Sequence, residues 1–286
     1  MKTLLLILPL LFFSCGKENE TKIEGVKMGM AYKVLIREHI PLNELPKIEK
    51  LINDAFSEIN TKLNGWNKDS EISKWNNSKS TQKIPASPLL LEIVNLADQV
   101  HSLSNGSYDP SLGKITYQWK QCLKLGKTLS SEEINRLAPA SGWDKIIIHQ
   151  DGLQKTHPEI TLDLDGISKG FLCDLIKREL QAYGLKNFLV EWAGEIQTCG
   201  GPFKVLSGNK VILLTDRAIA TSGSTFHLYP IFKDGKTIFY SHFINPQTLE
   251  PVVVNQKPSS KSICCESCAI ADGLATASYI SAKPCL

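Results

Sequence analysis

The sequence lacks the features that mark several large classes of protein. Its 286 residues carry a formal net charge of only +3. They contain no run of Lys and Arg, which excludes the electrostatic footprint of a nucleic-acid-binding protein. The longest apolar run, Leu4 to Phe13, has 10 residues and is too short to span a bilayer. Repeats and an obvious interdomain linker are also absent. With 42% hydrophobic and 21% charged residues, the composition indicates a globular fold with a sizeable core.

Cysteine is present without the pattern of a disulfide-rich or zinc-binding domain. Seven cysteines follow Cys15, and an odd number in a chain of this length does not indicate a disulfide framework. Cys264, Cys265 and Cys268 include one CxxC, which is a weak zinc signal without a second Cys or His pair nearby. We therefore expect a buried thiol cluster, or one bridge to Cys285.

The N-terminus has the pattern of an export signal. A short cationic start precedes the apolar run, and Ser14-Cys15-Gly16 follows it. A small residue before a cysteine resembles a bacterial lipobox, so we predict a signal peptide over residues 1–14 and lipidation of Cys15. The chain would then be anchored in the bacterial cell envelope, facing the periplasm. Secretion with an unmodified Cys15 is the alternative. Residues 15–24 are predicted to form a polar tether.

The spacing of apolar residues predicts a mixture of helices and strands. Helices are predicted from Leu45 to Leu63, from Leu89 to Leu103, around Phe171 to Leu180, and from an N-cap at Ser267 onward. Strands are predicted over 26–37, 143–149, 161–164, 187–191, 195–199, 203–207, 211–215 and 218–221. This mixture favours an α+β fold in which helices pack on antiparallel sheet.

Asp272 and Thr276 form the most informative pair of residues. They are four positions apart in a predicted helix, so both side chains lie on one helix face. A carboxylate and a hydroxyl together suit Mg²⁺, which keeps few protein ligands and completes its octahedron with water and phosphate oxygens. The alternative is a helix whose acid meets only water and whose threonine has no role.

The segment from Leu162 to Gly170 combines a strand, a glycine turn and the start of a helix. Backbone N–H groups at a helix N-terminus favour anions, and Lys169 adds a cation there. Asp163, at the strand end, is placed to accept a hydrogen bond from a ribose or a base. The alternative is a βα turn whose glycine serves only the turn.

Three further polar segments are ambiguous when each is taken alone. Residues 105–111 form a loop between two predicted helices. Residues 220–224 end a strand with small hydroxyl side chains, which resembles a phosphate cradle and equally any polar loop. Residues 240–246 alternate like a strand, with His242 on one face, and a lone histidine is more often structural than catalytic.

Taken together and in order, these segments resemble one family, the ApbE family of FAD:protein FMN transferases. The resemblance spans residues 25 to 280, and we assign residues 25–286 to one ApbE-like domain. The motifs that carry it are Met28-Gly29-Met30, Asp69-Ser70-Glu71-Ile72-Ser73, Gly106-Ser107-Tyr108-Asp109-Pro110-Ser111, Asp163-Leu164-x-Gly166-Ile167-x-Lys169-Gly170, Ala220-Thr221-Ser222-Gly223, Ser241-His242-Phe243-Ile244-Asn245-Pro246 and Ala271-Asp272-Gly273-Leu274-Ala275-Thr276-Ala277.

The resemblance implies both a fold and a set of site residues. The fold would be an α+β architecture related to the T-fold, with two α/β subdomains that hold FAD between them. Mg²⁺ would be held by the side chains of Asp272 and Thr276 and by the backbone carbonyls of Gly166 and Ala275. The flavin nucleotide would be contacted by Met28, Trp66, Ser107, Tyr108, Asp109, Asp163, Lys169 and Ile244.

The resemblance also implies the reaction. A threonine hydroxyl of an exported or membrane-bound redox protein would attack FAD, AMP would leave, and FMN would remain in phosphoester linkage. Because a threonine hydroxyl is a poor nucleophile near neutral pH, His242 is the candidate base. Two alternatives use the same chain: an FAD pyrophosphatase in which water attacks, and a non-catalytic lipoprotein that stores FAD.

The chain departs from the family pattern at four places. These are Met30, Asn245, Leu249-Glu250 and Trp192-Ala193-Gly194-Glu195. We interpret them as variation in substrate contacts, because the predicted metal positions and Lys169 are intact.

Overall fold

The computed structural model describes residues 20–224, 228–233, 235–254 and 260–281. The predicted signal peptide, the lipidation site at Cys15 and the predicted partner Cys285 lie outside these ranges. Within them, no helix combines the length and the apolar character that crossing a bilayer requires.

The chain alternates helices with antiparallel strands. The helices are α1 (Leu45–Lys62), α2 (Glu71–Asn77), α3 (Pro88–Leu103), α4 (Gly113–Lys124), α5 (Ser131–Leu137), α6 (Ser168–Ala182) and α7 (Cys268–Ser281). The strands are β1 (Thr21–Lys27), β2 (Met30–Ile36), β3 (Ile84–Pro85), β4 (Ile146–His149), β5 (Gly152–Lys155), β6 (Phe188–Trp192), β7 (Glu195–Cys199), β8 (Phe203–Ser207), β9 (Lys210–Leu214), β10 (Ala218–Gly223), β11 (Leu228–Lys233), β12 (Lys236–Ile244), β13 (Pro251–Val254) and β14 (Ser260–Cys265). The predicted α+β class is confirmed.

A six-stranded sheet in the order β1-β2-β6-β7-β10-β14 forms the centre of the molecule. Its first two strands correct two predictions. The single strand predicted over 26–37 is a hairpin, because Met28 and Gly29 both have positive φ angles (50° and 77°) and turn the chain back. The predicted tether over 15–24 extends too far, because β1 begins at Thr21 and pairs with β2. The side chain of Ile23, in β1, is buried.

Helices cover one face of this sheet. Helix α6 lies on β6 and β7, helix α7 lies on β10 and β14, and α1 and α3 pack against these two helices in the main hydrophobic core. Helix α7 is buried on nearly every side, which its small residues Ala269, Ala271, Ala275 and Ala277 allow. On the opposite face, Phe203 of β8 and Leu214 of β9 pack on the sheet in a separate cluster.

A second core lies beside the first. Helices α4 and α5 pack against the three-stranded sheet β11-β12-β13 through a cluster that includes Ile115, Trp119, Ile231 and Ile244. The indole Nε1 of Trp119 donates to the carbonyl of Leu249 at 2.8 Å, which ties α4 to the turn after β12. The main core and the β8–β9 cluster thus lie on the two faces of the central sheet, and α4, α5 and the three-stranded sheet enclose a third cluster.

Two further predicted strands differ from the structure. Residues 161–164 are not a strand, because Thr161 forms only an isolated bridge with Leu112 and the backbone of Leu162 bonds to a side chain instead. In the strand predicted over 143–149, a 3₁₀ turn (Trp143–Lys145) occupies the first part and β4 begins at Ile146. The other predicted helices and strands lie within a few residues of their observed bounds.

Gly170, in the first turn of α6, lies against the backbone at the start of α7. A Cβ added there would lie 2.2 Å from the carbonyl oxygen of Cys268, which is backbone and has no freedom to move aside. We therefore expect Gly170→Ala to lower the free energy of unfolding by roughly 3 kcal/mol. The melting temperature should fall by about 6 to 12 °C, as measured by thermal unfolding.

Gly65→Ala is the matched control for this substitution. A Cβ at Gly65 meets nothing within 4 Å, so its stability should stay within about 0.5 kcal/mol of the parent. If Gly170→Ala were as stable as Gly65→Ala, helices α6 and α7 would have to move apart with no loss of folding free energy.

Candidate active site

A cavity of about 1230 Å³ lies between the two cores. Helix α4 and strand β12 line it from one side, and the β1–β2 turn, the start of α6 and helix α7 line it from the other. The predicted site residues on its wall are Met28, Trp66, Tyr108, Asp109, Asp163, Gly166, Lys169, His242, Ile244 and Thr276. Ser107, Asp272 and Ala275 lie outside the lining.

Lys169 stands between two buried carboxylates at the base of the cavity. Its Nζ lies 3.5 Å from Asp272 Oδ2 and 3.8 Å from Glu195 Oε1. Burial opposes the charge of Lys169, but Asp272, Glu195 and Asp165 together raise its pKa above the ordinary value. Burial raises the pKa of Glu195 to about 8, against the opposing effect of Lys169. The sequence did not single out Glu195, although it marked its segment as a departure from the family.

Helices α6 and α7 each carry a carboxylate that accepts from backbone N–H groups in the first turn of the other helix. Asp272 Oδ2 of α7 accepts from the backbone N–H of Gly170 in the first turn of α6, at 3.1 Å. In return, Asp174 of α6 accepts from the N–H groups of Cys268 and Ala269 at the start of α7, each at 2.9 Å. Ser267 is the N-cap as predicted, since its hydroxyl accepts from Ile270 N at 3.3 Å. The carboxylate of Asp272 is thus held in one position by the backbone of α6.

Thr276 meets the glycine turn that the sequence predicted as its neighbour. A Cβ added to Gly166 would lie 3.2 Å from Thr276 Oγ1 and 3.2 Å from the ring of Tyr108. The hydroxyl of Ser222, at the end of β10, is 3.0 Å from Thr276 Oγ1. A side chain at position 166 would crowd the space beside the Thr276 hydroxyl. Glycine at this position keeps that space open. The predicted ligands Gly166 and Thr276 are therefore brought together.

The loop that precedes Gly166 is held by residues that the sequence did not reveal. Asn76 donates to the carbonyl of Leu162 at 2.9 Å and accepts from its N–H at 2.7 Å. Lys155 is fully buried, and its Nζ donates to the carbonyl of Ile160 at 2.9 Å. Burial lowers the pKa of Lys155 to about 8. These contacts fix the backbone immediately before Asp163.

Trp66 forms an exposed aromatic platform at the cavity rim. Its side chain is 72% exposed, and its Nε1 donates to Asp165 Oδ2 at 3.2 Å. The ammonium of Lys120 lies 5.6 Å from the ring centroid. Burial and the neighbouring Asp163 raise the pKa of Asp165 to about 6. An exposed ring held at its edge is suited to stacking on a planar ligand.

Three polar atoms in the cavity wall are buried without a hydrogen-bond partner among the described residues. They are Tyr108 Oη, Trp192 Nε1 and Glu195 Oε2. Buried polar groups are nearly always satisfied, so three in one cavity indicate a polar ligand. Asp109 differs, because its Oδ1 accepts from the N–H and the hydroxyl of Ser111 and so stabilises its own loop.

His242 lies in β12 and is half-buried on the cavity wall. The adjacent Phe243 packs on Tyr279 of α7, with ring centroids 4.5 Å apart. This contact joins the strand that carries His242 to the helix that carries Asp272 and Thr276. The histidine and the predicted metal helix are therefore parts of one packed unit.

The cysteines in the described ranges belong to no recognisable metal site. Among the described residues, no group of three or more His, Cys, Asp or Glu side chains is placed to hold a metal ion. Cys264 is exposed on β14, whereas Cys268 on α7 and its neighbour Cys173 on α6 are buried, and their thiols donate to the carbonyls of Ile196 and Glu195, each at 3.5 Å. Burial raises the pKa of Cys268 well above its usual value. The predicted thiol cluster is thus a Cys173–Cys268 pair rather than one within the CxxC segment.

The whole fold resembles that of known flavin transferases. The flavin transferase ApbE from Vibrio cholerae superposes with a TM-score of 0.75, at 26% identity over 91% of this chain and 86% of that chain. A flavinyl transferase ApbE from Pseudomonas stutzeri superposes with a TM-score of 0.80 over 91% of this chain and 84% of that chain. At 23% identity, the second likeness concerns the fold alone.

The sequence places the chain within a family. The family model described as "ApbE family" matches residues 28–284. A protein of Chlamydia trachomatis named FAD:protein FMN transferase is 35% identical, covering 96% of this chain and 88% of its own length. A protein of the same name from Vibrio cholerae is 29% identical over 93% of this chain and 83% of its own. This chain belongs to the ApbE family.

Proposed function

We propose that this protein transfers the FMN part of FAD to a threonine hydroxyl of a redox protein and releases AMP. The matches to relatives named FAD:protein FMN transferase cover 88% and 83% of those relatives' own length. The observation that carries the proposal is the convergence of Lys169, Asp272, Thr276 and Gly166 at one end of the cavity. A cation, a carboxylate and a hydroxyl meet there, beside room for a large ligand.

The residues at this point fit Mg²⁺. Asp272 offers a carboxylate, Thr276 a hydroxyl, and Gly166 and Ala275 offer backbone carbonyls, all of them the hard oxygen donors that this ion prefers. Even with Glu195 protonated, the carboxylates of Asp163, Asp165 and Asp272 outnumber the ammonium groups of Lys120 and Lys169 that lie near them. A divalent cation would offset this excess of negative charge and neutralise charge that develops on a diphosphate.

The remaining wall suits a flavin nucleotide. Trp66 presents a ring on which a flavin or an adenine can stack. Tyr108 Oη and Trp192 Nε1 are buried donors that a bound ligand would satisfy. Asp163 follows a backbone segment that Asn76 fixes, and its Oδ1 accepts from the N–H of Asp165 at 3.0 Å, so Oδ2 is the atom that would accept from a ribose or a base.

The reaction needs one proton transfer and one displacement. The threonine oxygen of the acceptor forms a bond to the phosphorus of the FMN half, and the bond from that phosphorus to the bridging oxygen breaks. AMP leaves with the bridging oxygen. His242 accepts the threonine proton, and the ammonium of Lys169 stabilises the negative charge that builds up on the phosphate oxygens.

The setting of this activity is the cell envelope. The leader over residues 1–14 directs export, and acylation of Cys15 anchors the mature chain to a membrane, facing the periplasm. The acceptor is then an exported or membrane-bound redox protein. Mass spectrometry of the mature N-terminal peptide tests the anchor directly, because acylation adds a defined mass to Cys15.

The test of function is a reaction with three separable outcomes. The purified protein is incubated with FAD, MgCl₂ and a candidate redox protein that carries the acceptor threonine. We expect in-gel flavin fluorescence on the acceptor and equimolar AMP, both lost on adding EDTA and restored by excess Mg²⁺. FMN and AMP free in solution would instead indicate a pyrophosphatase. Unchanged FAD, with tight binding, would indicate storage.

A further inference from the structure

The β8–β9 hairpin, residues 203–214, exposes an apolar face that the fold does not use. Its inner residues Phe203 and Leu214 pack on the central sheet. On the outer side, Leu206 is 72% exposed, Val211 is 67% exposed and Leu213 is 61% exposed. Leu206 pairs with Val211 across the two strands, so these side chains are neighbours on one surface. A contiguous exposed patch of this kind marks an interaction surface more often than scattered apolar residues do.

One lysine lies on this apolar face. Lys204 pairs with Leu213 across the hairpin and is two positions from Leu206, so its side chain leaves the same side of the strands. It is exposed and forms no salt bridge within the part of the chain that the structure describes. Apolar side chains beside an exposed ammonium group match a bilayer surface, whose acyl region accepts the first and whose anionic headgroups attract the second.

The base of the hairpin lies beside the point where the described chain begins. Arg37 joins the two: its Nε donates to Glu20 Oε1 at 2.8 Å, and its Nη1 donates to the carbonyl of Pro202 at 3.0 Å. The same guanidinium lies 4.5 Å above the ring of Phe203, the first residue of β8. The hairpin base and Glu20 are therefore at the same end of the central sheet.

The chain between Glu20 and the predicted lipid anchor is short. Cys15 is five positions before Glu20. Even fully extended, this segment spans at most about 18 Å. Each hairpin strand has five residues and is roughly 17 Å long. An acyl group on Cys15 would therefore keep the whole hairpin within reach of the bilayer that holds it.

We propose that the outer face of the β8–β9 hairpin rests on the membrane and orients the domain there. The inference depends on acylation of Cys15, which belongs to the proposed function. The acyl chains supply most of the affinity, and the hairpin fixes which face of the domain meets the lipid. The bilayer is the occupant that the tether brings to this face in every molecule, whereas a second copy or an acceptor protein has to arrive by diffusion.

Lipid photolabelling tests this orientation. The mature lipoprotein is reconstituted into vesicles of phosphatidylethanolamine and phosphatidylglycerol that contain a phospholipid with a diazirine on its acyl chain. We expect the label in peptides covering residues 203–214. The double variant Leu206→Ser/Leu213→Ser should lose that label roughly tenfold, because two apolar contacts with the acyl region are removed. FMN transfer to a soluble acceptor should be unchanged.

Leu125→Ser is the matched control, because Leu125 is 73% exposed at the end of α4, away from the hairpin. Its hairpin label should equal that of the parent.

Acylated protein with an unlabelled hairpin, or with equal label in the double variant, would refute this inference alone. An unacylated Cys15 would refute the anchor as well. A hairpin-dependent dimer in sedimentation, or loss of transfer to a soluble acceptor in the double variant, would assign the face to another protein and overturn the membrane proposal.

Discussion

Replacing Asp272 with alanine is expected to lower the rate of FMN transfer by roughly 10³-fold or more, even at saturating Mg²⁺. The side chain is only 1% exposed, and it belongs to the predicted cation site as its one carboxylate. Its loss would remove a cation ligand and also leave Lys169 with one buried counter-charge fewer. Initial rates of acceptor flavinylation, measured by in-gel fluorescence across a Mg²⁺ titration, give the effect.

A second variant separates loss of charge from loss of structure. Asp272→Asn keeps a carbonyl oxygen for the N–H of Gly170 but also removes a counter-charge of Lys169, so it should be more stable than Asp272→Ala and lose activity nearly as completely. Asp151→Asn is the control, since this exposed carboxylate pairs with Lys83 on the surface. Near-normal transfer by Asp272→Ala, still dependent on Mg²⁺, would remove Asp272 from the cation site.

The sequence revealed the residues that lie close together along the chain. Asp272 and Thr276 share a helix face because a helix brings positions i and i+4 together, and no tertiary information is needed for that inference. The N-cap at Ser267 and the turn before Lys169 were also predicted from residues that are neighbours in the sequence. Family motifs then joined these local features into one site, and most of their residues do line one cavity.

The supporting contacts could not be predicted in this way, because they join distant parts of the chain. Asn76 holds Leu162 across 86 positions, and Asp174 caps Cys268 across 94. An asparagine at the end of a short helix is common, so its residue type alone carries no signal. The strand predicted over 161–164 was wrong for the same reason: a side chain, not a neighbouring strand, binds that backbone.

Buried charge is the other feature that the sequence concealed. Glu195 reads as a surface residue at the start of a strand, and only the fold shows it buried against Lys169. Lys155 is likewise a buried lysine in a strand whose sequence looks ordinary. Such groups are expensive to bury unless paired, so they concentrate where a site requires them. Asp165 could have been identified from the sequence, because it lies two residues after Asp163 within the motif that also contains Gly166 and Lys169.

Loss of His242 should slow the transfer step while leaving FAD bound. In His242→Gln we expect the rate of flavinylation to fall by about 10² to 10⁴, the usual contribution of a general base. The affinity for FAD should stay within about twofold, because Trp66, Tyr108 and Lys169 remain in place. Single-turnover flavinylation measures the first quantity, and the change in flavin fluorescence on titrating FAD measures the second.

His149→Gln is the matched control for this variant. His149 is also half-buried on a strand, but it bonds Gln154 at 3.0 Å and does not line the cavity. Its rate and affinity should both equal those of the parent. If His242→Gln weakened FAD binding in the same proportion as the rate, the histidine would be a ligand contact. If neither changed, the threonine proton would have to leave by another route, and the unpartnered Oε2 of the buried Glu195 would become the group to test next.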